Sequence, residues 1–265
     1  MAALLLLALL VVVAIFLWRT LGDEVSGSSV ARDSIDSGRE PKVEITNGPG
    51  SVTVEGAEGS EAVEYEVTRY AVAGDPAAAR NAASEVPVNV AREGSTVTLE
   101  TDGGRETGAD YLVTVPSGGG VTVESEEGDV EVSGVDGNVT VRAESGDVTV
   151  RDVAGDITVE AAMGDVVVGG VRTDTGNLDL SVEAGDLSLE DLLAGTLEAT
   201  VETGDVTLSG RFSGDGRVSV GTGDITVRLP SEDATDLSLE TLVGKVSRET
   251  PDGNSQPENR NGGND

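Results

Sequence analysis

Six aspartates carry the most chemical potential in this chain. Asp129, Asp147, Asp165, Asp186, Asp205 and Asp224 each follow directly on a glycine and recur every 18 to 21 residues. In a coiled chain such a spacing stacks the carboxylates in one column along one edge, about 4.8 Å apart. Two chemistries fit that column. It is a cation-binding edge built from hard oxygen ligands, or a row of turn caps in which each Asp bonds its own turn amides. Calcium β-rolls need Asp two positions after Gly in GGxGxD, whereas here Asp follows Gly at once, and no EF-hand loop is present. Turn capping is therefore preferred, and no metal site is expected.

A second candidate is hydroxylic. Thr140, Thr149, Thr158, Thr207 and Thr226 occupy the outward position of their segments and suggest a flat hydroxyl face, as in ice-binding or glycan-adhering solenoids. Glu131, Val167, Asp179 and Glu198 interrupt the series, which argues against a regular lattice. Threonine is also simply a good exposed strand residue.

Enzymatic chemistry finds little to use. The chain has neither Cys nor His, which removes thiol nucleophiles, imidazole bases and the metal sites that need those ligands. Carboxylate pairs are unavoidable among 49 acidic residues, but a glycan cleft also wants stacking aromatics, and the repetitive part has only Phe212. The glycines sit in turns after strands, not ahead of helices, so no Walker loop or dinucleotide fingerprint appears. A non-enzyme with no catalytic residue and no cofactor is expected.

The elements that would position these residues are repeats. GDVEV at Gly128, GNVTV at Gly137, GDVTV at Gly146, GDITV at Gly155 and GDVVV at Gly164 begin nine residues apart, and related segments continue to GDITV at Gly223. Within G-D-V-T-V the two aliphatics are two apart, so both point inward while Thr points out. Glycine allows the backbone to turn at positive φ. The segments alternate in character: those at Gly128, Gly146, Gly164, Gly185, Gly204 and Gly223 follow Glu-Gly-type turns such as ESGD and ETGD. The structural unit is therefore two segments, a coil of two strands and two turns. One coil cannot bury enough to fold alone, so stability comes from stacking.

Before the repeats, residues 41–120 read as a strand-rich cap. KVEIT, SVTVEG, AVEYEVTRYAV, STVTLET and DYLVTVP alternate apolar and polar residues. Asp75-Pro76 ahead of AAARNAASEV is a helix start, with Asp as N-cap and Pro at the first helical position. Residues 1–21 read as a transmembrane anchor, because Ala2 to Trp18 is an unbroken apolar run closed by Arg19. A cleaved signal peptide is the alternative, but no basic region precedes the run and no small-x-small site follows it. Residues 22–40 read as a flexible stalk, 121–248 as the solenoid and 249–265 as a disordered tail. The fold class expected is all-β: a β-solenoid of two strands per coil, with a strand-rich N-terminal cap and an N-terminal transmembrane helix.

Serial GDVTV and GDITV segments after a strand-rich opening resemble the putative adhesin domain family of bacterial and archaeal envelopes, over about Lys42 to Val246. The resemblance implies a β-solenoid, and either surface attachment or a regulatory role in envelope stress, with no catalytic residues to carry over. VRTDTGNLDL and AGTLEA depart from the strict period.

Charge bounds the partners. A net charge of −32, with only Lys42 and Lys245 as lysines, repels nucleic acid and anionic headgroups. It also repels itself except at molar salt, where the Debye length falls to about 3 Å. This points to a halophile, or to a high-GC organism with an acidic secretome, the first being preferred. Arg19, Arg32 and Arg39 all follow the apolar span, which by the positive-inside rule favours an inward domain. Long translocated domains escape that rule, and an extracellular solenoid held by its N-terminal helix is expected. The expected partners are the membrane and a cell-surface or envelope protein, and no nucleic acid. An adhesin-like binding or structural module is the first functional expectation; a stress sensor or scaffold for a membrane regulator is the second.

Overall fold

The computed structural model describes residues 25–173, 176–228 and 237–249, together with the backbone of 256 and 257. The apolar segment read as an anchor lies outside the described residues, and among these no helix is long and apolar enough to cross a membrane.

Each repeat segment forms one strand, and successive strands alternate between two sheets. The strands after the Gly-Asp turns are β9 (Val130–Ser133), β11 (Val148–Arg151) and β13 (Val166–Gly169), followed by β15 (Leu187–Ala194), β17 (Val206–Phe212), β19 (Ile225–Arg228) and, after Gly244-Lys245, β21 (Val246–Glu249). These stack in parallel in the first sheet. Their partners in the same coils are β8 (Gly120–Glu127), β10 (Val139–Ser145), β12 (Ile157–Met163) and β14 (Asn177–Ala184), then β16 (Thr196–Thr203), β18 (Gly216–Thr222) and β20 (Leu237–Val243), stacked in parallel in the second sheet. The two-strand coil expected from the alternating segments is borne out. Val130 lies beside Val148, and Val148 beside Val166, so that each coil has 18 residues there. The insertion in VRTDTGNLDL lengthens one coil without breaking the register, since Val166 pairs with Leu187.

Period-two alternation places aliphatic columns between the sheets. Val121, Val139, Ile157, Leu178 and Leu197 align in one sheet, and Val132, Val150, Val168, Leu189, Leu208 and Val227 in the other. All are buried in one continuous core. Small β-branched side chains suit the layer because each must interdigitate with only its neighbours above, below and opposite.

Parallel stacking begins well before Val121. Strands β2 (Lys42–Pro49) and β3 (Val52–Ala57) form a coil directly beside β8 and β9. The chain then departs through β4 (Ala62–Ala73), the helix α1 (Pro76–Glu85) and β5 (Val88–Glu93). It returns as β6 (Thr96–Thr101) and β7 (Thr107–Pro116), a second coil on the far side of the first. Chain order and spatial order are thus reversed in this region: the later coil is the outer one, and β8 passes back to pair with β2. Antiparallel β4 and β5 close the outer edges of β7 and β6.

The helix starts as its sequence dictates, with the Asp75 carboxylate accepting the amides of Ala77 and Ala78 at 2.9 Å each. It buries Ala79 and Ala83 and lies so close to Gly27 that a Cβ there would sit 2.5 Å from the Arg80 nitrogen.

The flexible stalk is corrected by the structure. Val25–Asp36, called β1 here, is a strand paired antiparallel with β4 over all its twelve residues. Its polar sequence hides this because only Gly27 is buried along it. What holds the strand is the open edge of β4, whose unpaired N–H and C=O groups accept a partner of almost any composition. Arg32 makes a two-point ion pair to Glu66, the residue directly opposite it, at 2.6 and 2.8 Å. The expected tail also contributes, since the backbone of Gln256–Pro257 (β22) pairs antiparallel with Ser247 and Arg248.

Candidate functional site: the aspartate edge and the outer sheet faces

The Asp column exists, and its chemistry differs from the turn cap described above. Asp129 accepts the backbone N–H of Asp147 at 3.0 Å, Asp147 that of Asp165 at 2.9 Å, and Asp165 that of Asp186 at 2.9 Å. The series continues from Asp186 to Asp205, Asp205 to Asp224 and Asp224 to Lys245, each at 2.8 Å. Each carboxylate therefore bonds the amide of the next coil, not its own turn. The column is a staple between coils. Coulomb repulsion between successive carboxylates opposes it, which the amide donors and the surrounding water offset.

Beside the carboxylates runs a glycine column. Gly128, Gly146, Gly164, Gly185, Gly204 and Gly223 all have φ between +129° and +149°. In each, a Cβ would lie 1.9–2.4 Å from the carbonyl oxygen of the glycine one coil before. Glycine is needed twice over, for its φ and for the close approach of backbone to backbone.

A second, shorter ladder occupies the opposite turns and was not read from the sequence as a bonded series. Asn138 accepts the N–H of Asp156 at 3.1 Å, Asp156 that of Asn177 at 2.8 Å, and Asn177 the hydroxyl of Thr196 at 2.7 Å. The signal was available in the Gly-Asn and Gly-Asp steps of the alternate segments. Among the described residues no three of His, Cys, Asp and Glu are grouped to hold a metal ion.

The threonines do not share a face. Thr149, Thr207 and Thr226 stand on the outer side of the first sheet, in a column shared with Glu131, Val167 and Ser188. Thr140 and Thr158 lie on the second sheet beside Thr122. The two sets point to opposite sides of the molecule because successive segments alternate between sheets. Phe212 is 7 % exposed and belongs to the core.

The outer face of the second sheet carries the most differentiated surface. Arg142 sits between Glu160, with Nε to Oε2 at 3.0 Å, and Glu124 at 3.7 Å. These three occupy one outward column of consecutive strands. In the next column Ala162 stands where the flanking strands carry Glu144 and Glu183, and a shallow open groove of about 630 Å3 runs across these columns. Asp179 and Ser181 complete its wall. The result is an open trough lined by six carboxylates and the Arg142 guanidinium, suited to binding polar or cationic groups. Exposed pairs of this kind contribute at most about 1 kcal/mol each to stability.

Shifted protonation equilibria lie in the cap and have structural causes. Burial raises Tyr65, Tyr70 and Tyr111 above the ordinary phenol range, with nearby carboxylates adding at each. The hydrogen bond from Arg32 lowers Glu66.

The sequence of residues 42–264 matches the Toastrack DUF4097 family, and the chain belongs to that family. The resemblance drawn from the repeats is thereby borne out. No curated protein matches. A crystal structure of a putative adhesin from Bacteroides fragilis NCTC 9343 has the same fold, with a TM-score of 0.57 at 16 % identity over 83 % of this chain and 97 % of that one. A putative adhesin from Parabacteroides distasonis ATCC 8503 aligns over 86 % of this chain and 98 % of its own, at 15 % identity and a TM-score of 0.43.

Proposed function

We propose that this Toastrack-family protein is a non-enzymatic binding or structural module of the cell envelope. In this reading residues 1–21 anchor it in the membrane and the described domain projects outward to engage a surface or envelope partner. The observation that carries the reading is the rigid outer face of the second sheet, where parallel strands hold Arg142 and its flanking carboxylates at fixed spacing around an open trough. A broad, shallow, open face edged by carboxylates suits recognition of an extended partner, whereas small-molecule chemistry calls for a concave, enclosing pocket. The putative adhesin description carried by the Bacteroides fragilis relative agrees with it. A net charge of −32 supports operation at high ionic strength and speaks against nucleic acid as partner.

The test is protease accessibility of a C-terminal epitope tag on intact cells at native salt. Digestion of the tag on whole cells is the expected outcome. Protection until lysis would turn the domain inward and end the adhesin reading.

A further inference from the structure

Asn138-Val139-Thr140 is an Asn-x-Thr acceptor sequence, and no other asparagine of the chain has Ser or Thr two residues on. The tripeptide is commonplace; its setting in the fold is what distinguishes it. Asn138 is exposed in the turn before β10. Its Oδ1 accepts the N–H of Asp156 at 3.1 Å, while its Nδ2 has no hydrogen-bond partner among the described residues. Asn47 is the opposite case. It is fully buried, and its Nδ2 donates to the carbonyls of Gly50 and Ala109 at 2.8 and 3.0 Å. From residue 138 the fold needs only an acceptor oxygen, which Asp156 supplies with a carboxylate to the N–H of Asn177 in the following coil, at 2.8 Å. The amide nitrogen of Asn138 is surplus to the staple.

Room and orientation favour the same atom. Val139 is 1 % exposed and points into the core, so Asn138 and Thr140 on either side of it project outward from the second sheet. One coil earlier, the position beside Asn138 is Gly120. A Cβ there would meet only the Asn138 carbonyl oxygen within 4 Å, at 3.6 Å. No side chain at that position crowds the amide.

We propose that Asn138 carries an N-linked glycan. The proposal rests on the outward reading above, because this acceptor sequence is used on exported chains. In transfer from a lipid-phosphate-linked oligosaccharide, the sugar C1–O bond breaks and its electron pair leaves with the lipid phosphate. The Nδ2–C1 bond forms as Nδ2 gives up one of its two protons. Oδ1 takes no part, so the bond to Asp156 survives. The sugar stands four residues before Arg142, about 13 Å along the strand, at the rim of the trough and not in it.

The test uses the full-length chain purified from the membranes of its own cells. Trypsin releases Glu106–Arg142, which contains Asn138. By mass spectrometry this peptide should be heavier than its sequence by whole sugar residues, with fragmentation placing them on Asn138. Asn138→Asp keeps the acceptor oxygen, as Asp156 does, and should lose the added mass with circular dichroism unchanged. Thr140→Val should lose it with Asn138 still in place, and Thr140→Ser should retain it. The C-terminal tag is assayed on the same cells. A digested tag with an unmodified Glu106–Arg142 overturns the glycan and leaves the outward reading standing; a protected tag with an unmodified peptide overturns both. Added mass that survives Asn138→Asp also overturns the proposal.

Discussion

The carboxylate of Asp165 accepts the backbone N–H of Asp186 at 2.9 Å, although 21 residues separate them along the chain. The N–H of Asp165 in turn bonds Asp147 one coil earlier, at 2.9 Å. An aspartate in this position is therefore both acceptor and link, and its removal should be felt by two coils.

Asp165→Ala should destabilise the domain by about 1–2 kcal/mol, the range found when a side-chain acceptor is lost from a backbone amide. Asp165→Asn keeps an acceptor oxygen, as Asn138 does toward Asp156, and removes one charge from the column. It should be neutral at molar salt and stabilising at low salt. Urea unfolding of both variants at two ionic strengths checks the sign; a loss for Asp165→Asn as large as for Asp165→Ala would show that the negative charge itself is required.

Gly164→Ala should cost more than about 3 kcal/mol, because strain at its φ of +136° adds to a Cβ placed 2.1 Å from the Gly146 oxygen. Gly59 has a φ of +72° with nothing within 4 Å of a Cβ, so Gly59→Ala should cost only about 1–2 kcal/mol. Comparing their denaturation midpoints separates close packing from backbone conformation.

Tyr111 sets an alkaline limit. It is buried and hydrogen-bonded to Thr101, and burial raises its ionisation above that of the unfolded chain. A phenol with a raised folded value contributes its stability fully below the unfolded value of about 10 and loses it as pH climbs toward the folded one. Tyr111→Phe should cost about 1 kcal/mol at neutral pH, for the lost hydrogen bond, and flatten the decline above about pH 10. Thermal unfolding from pH 7 to 11 is the measurement; an unchanged alkaline slope would assign the decline to other groups.

Chelation should leave the domain folded. Every Asp in the main column already has its Oδ1 engaged by an amide, so stacking does not call on a cation. Circular dichroism with and without EDTA should coincide; melting on chelation would make the column a structural ion site.

Much of the fold was legible in the residues. Val148 and Val150 flank Thr149 within one strand, so their inward direction follows from period two alone, and the glycine before Asp147 follows from the turn it must make. These are constraints between chain neighbours, and a sequence displays them directly. The Arg142 trough was not legible, since Glu124, Arg142 and Glu160 meet only when coils of 18 residues stack in register.

The repeat, the two-strand coil, the inward columns and the helix start at Asp75 thus follow from the residues alone. Tertiary structure alone decided that Asp165 bonds the next coil, that Thr140 and Thr149 face opposite ways, that β6 and β7 lie outside β2 and β3, and that the polar segment Val25–Asp36 is a strand. Local sterics and alternation act between residues adjacent in the chain. Strand order and amide partners are set by whichever remote edge offers unpaired N–H and C=O groups, and such an edge exists only once the chain has coiled.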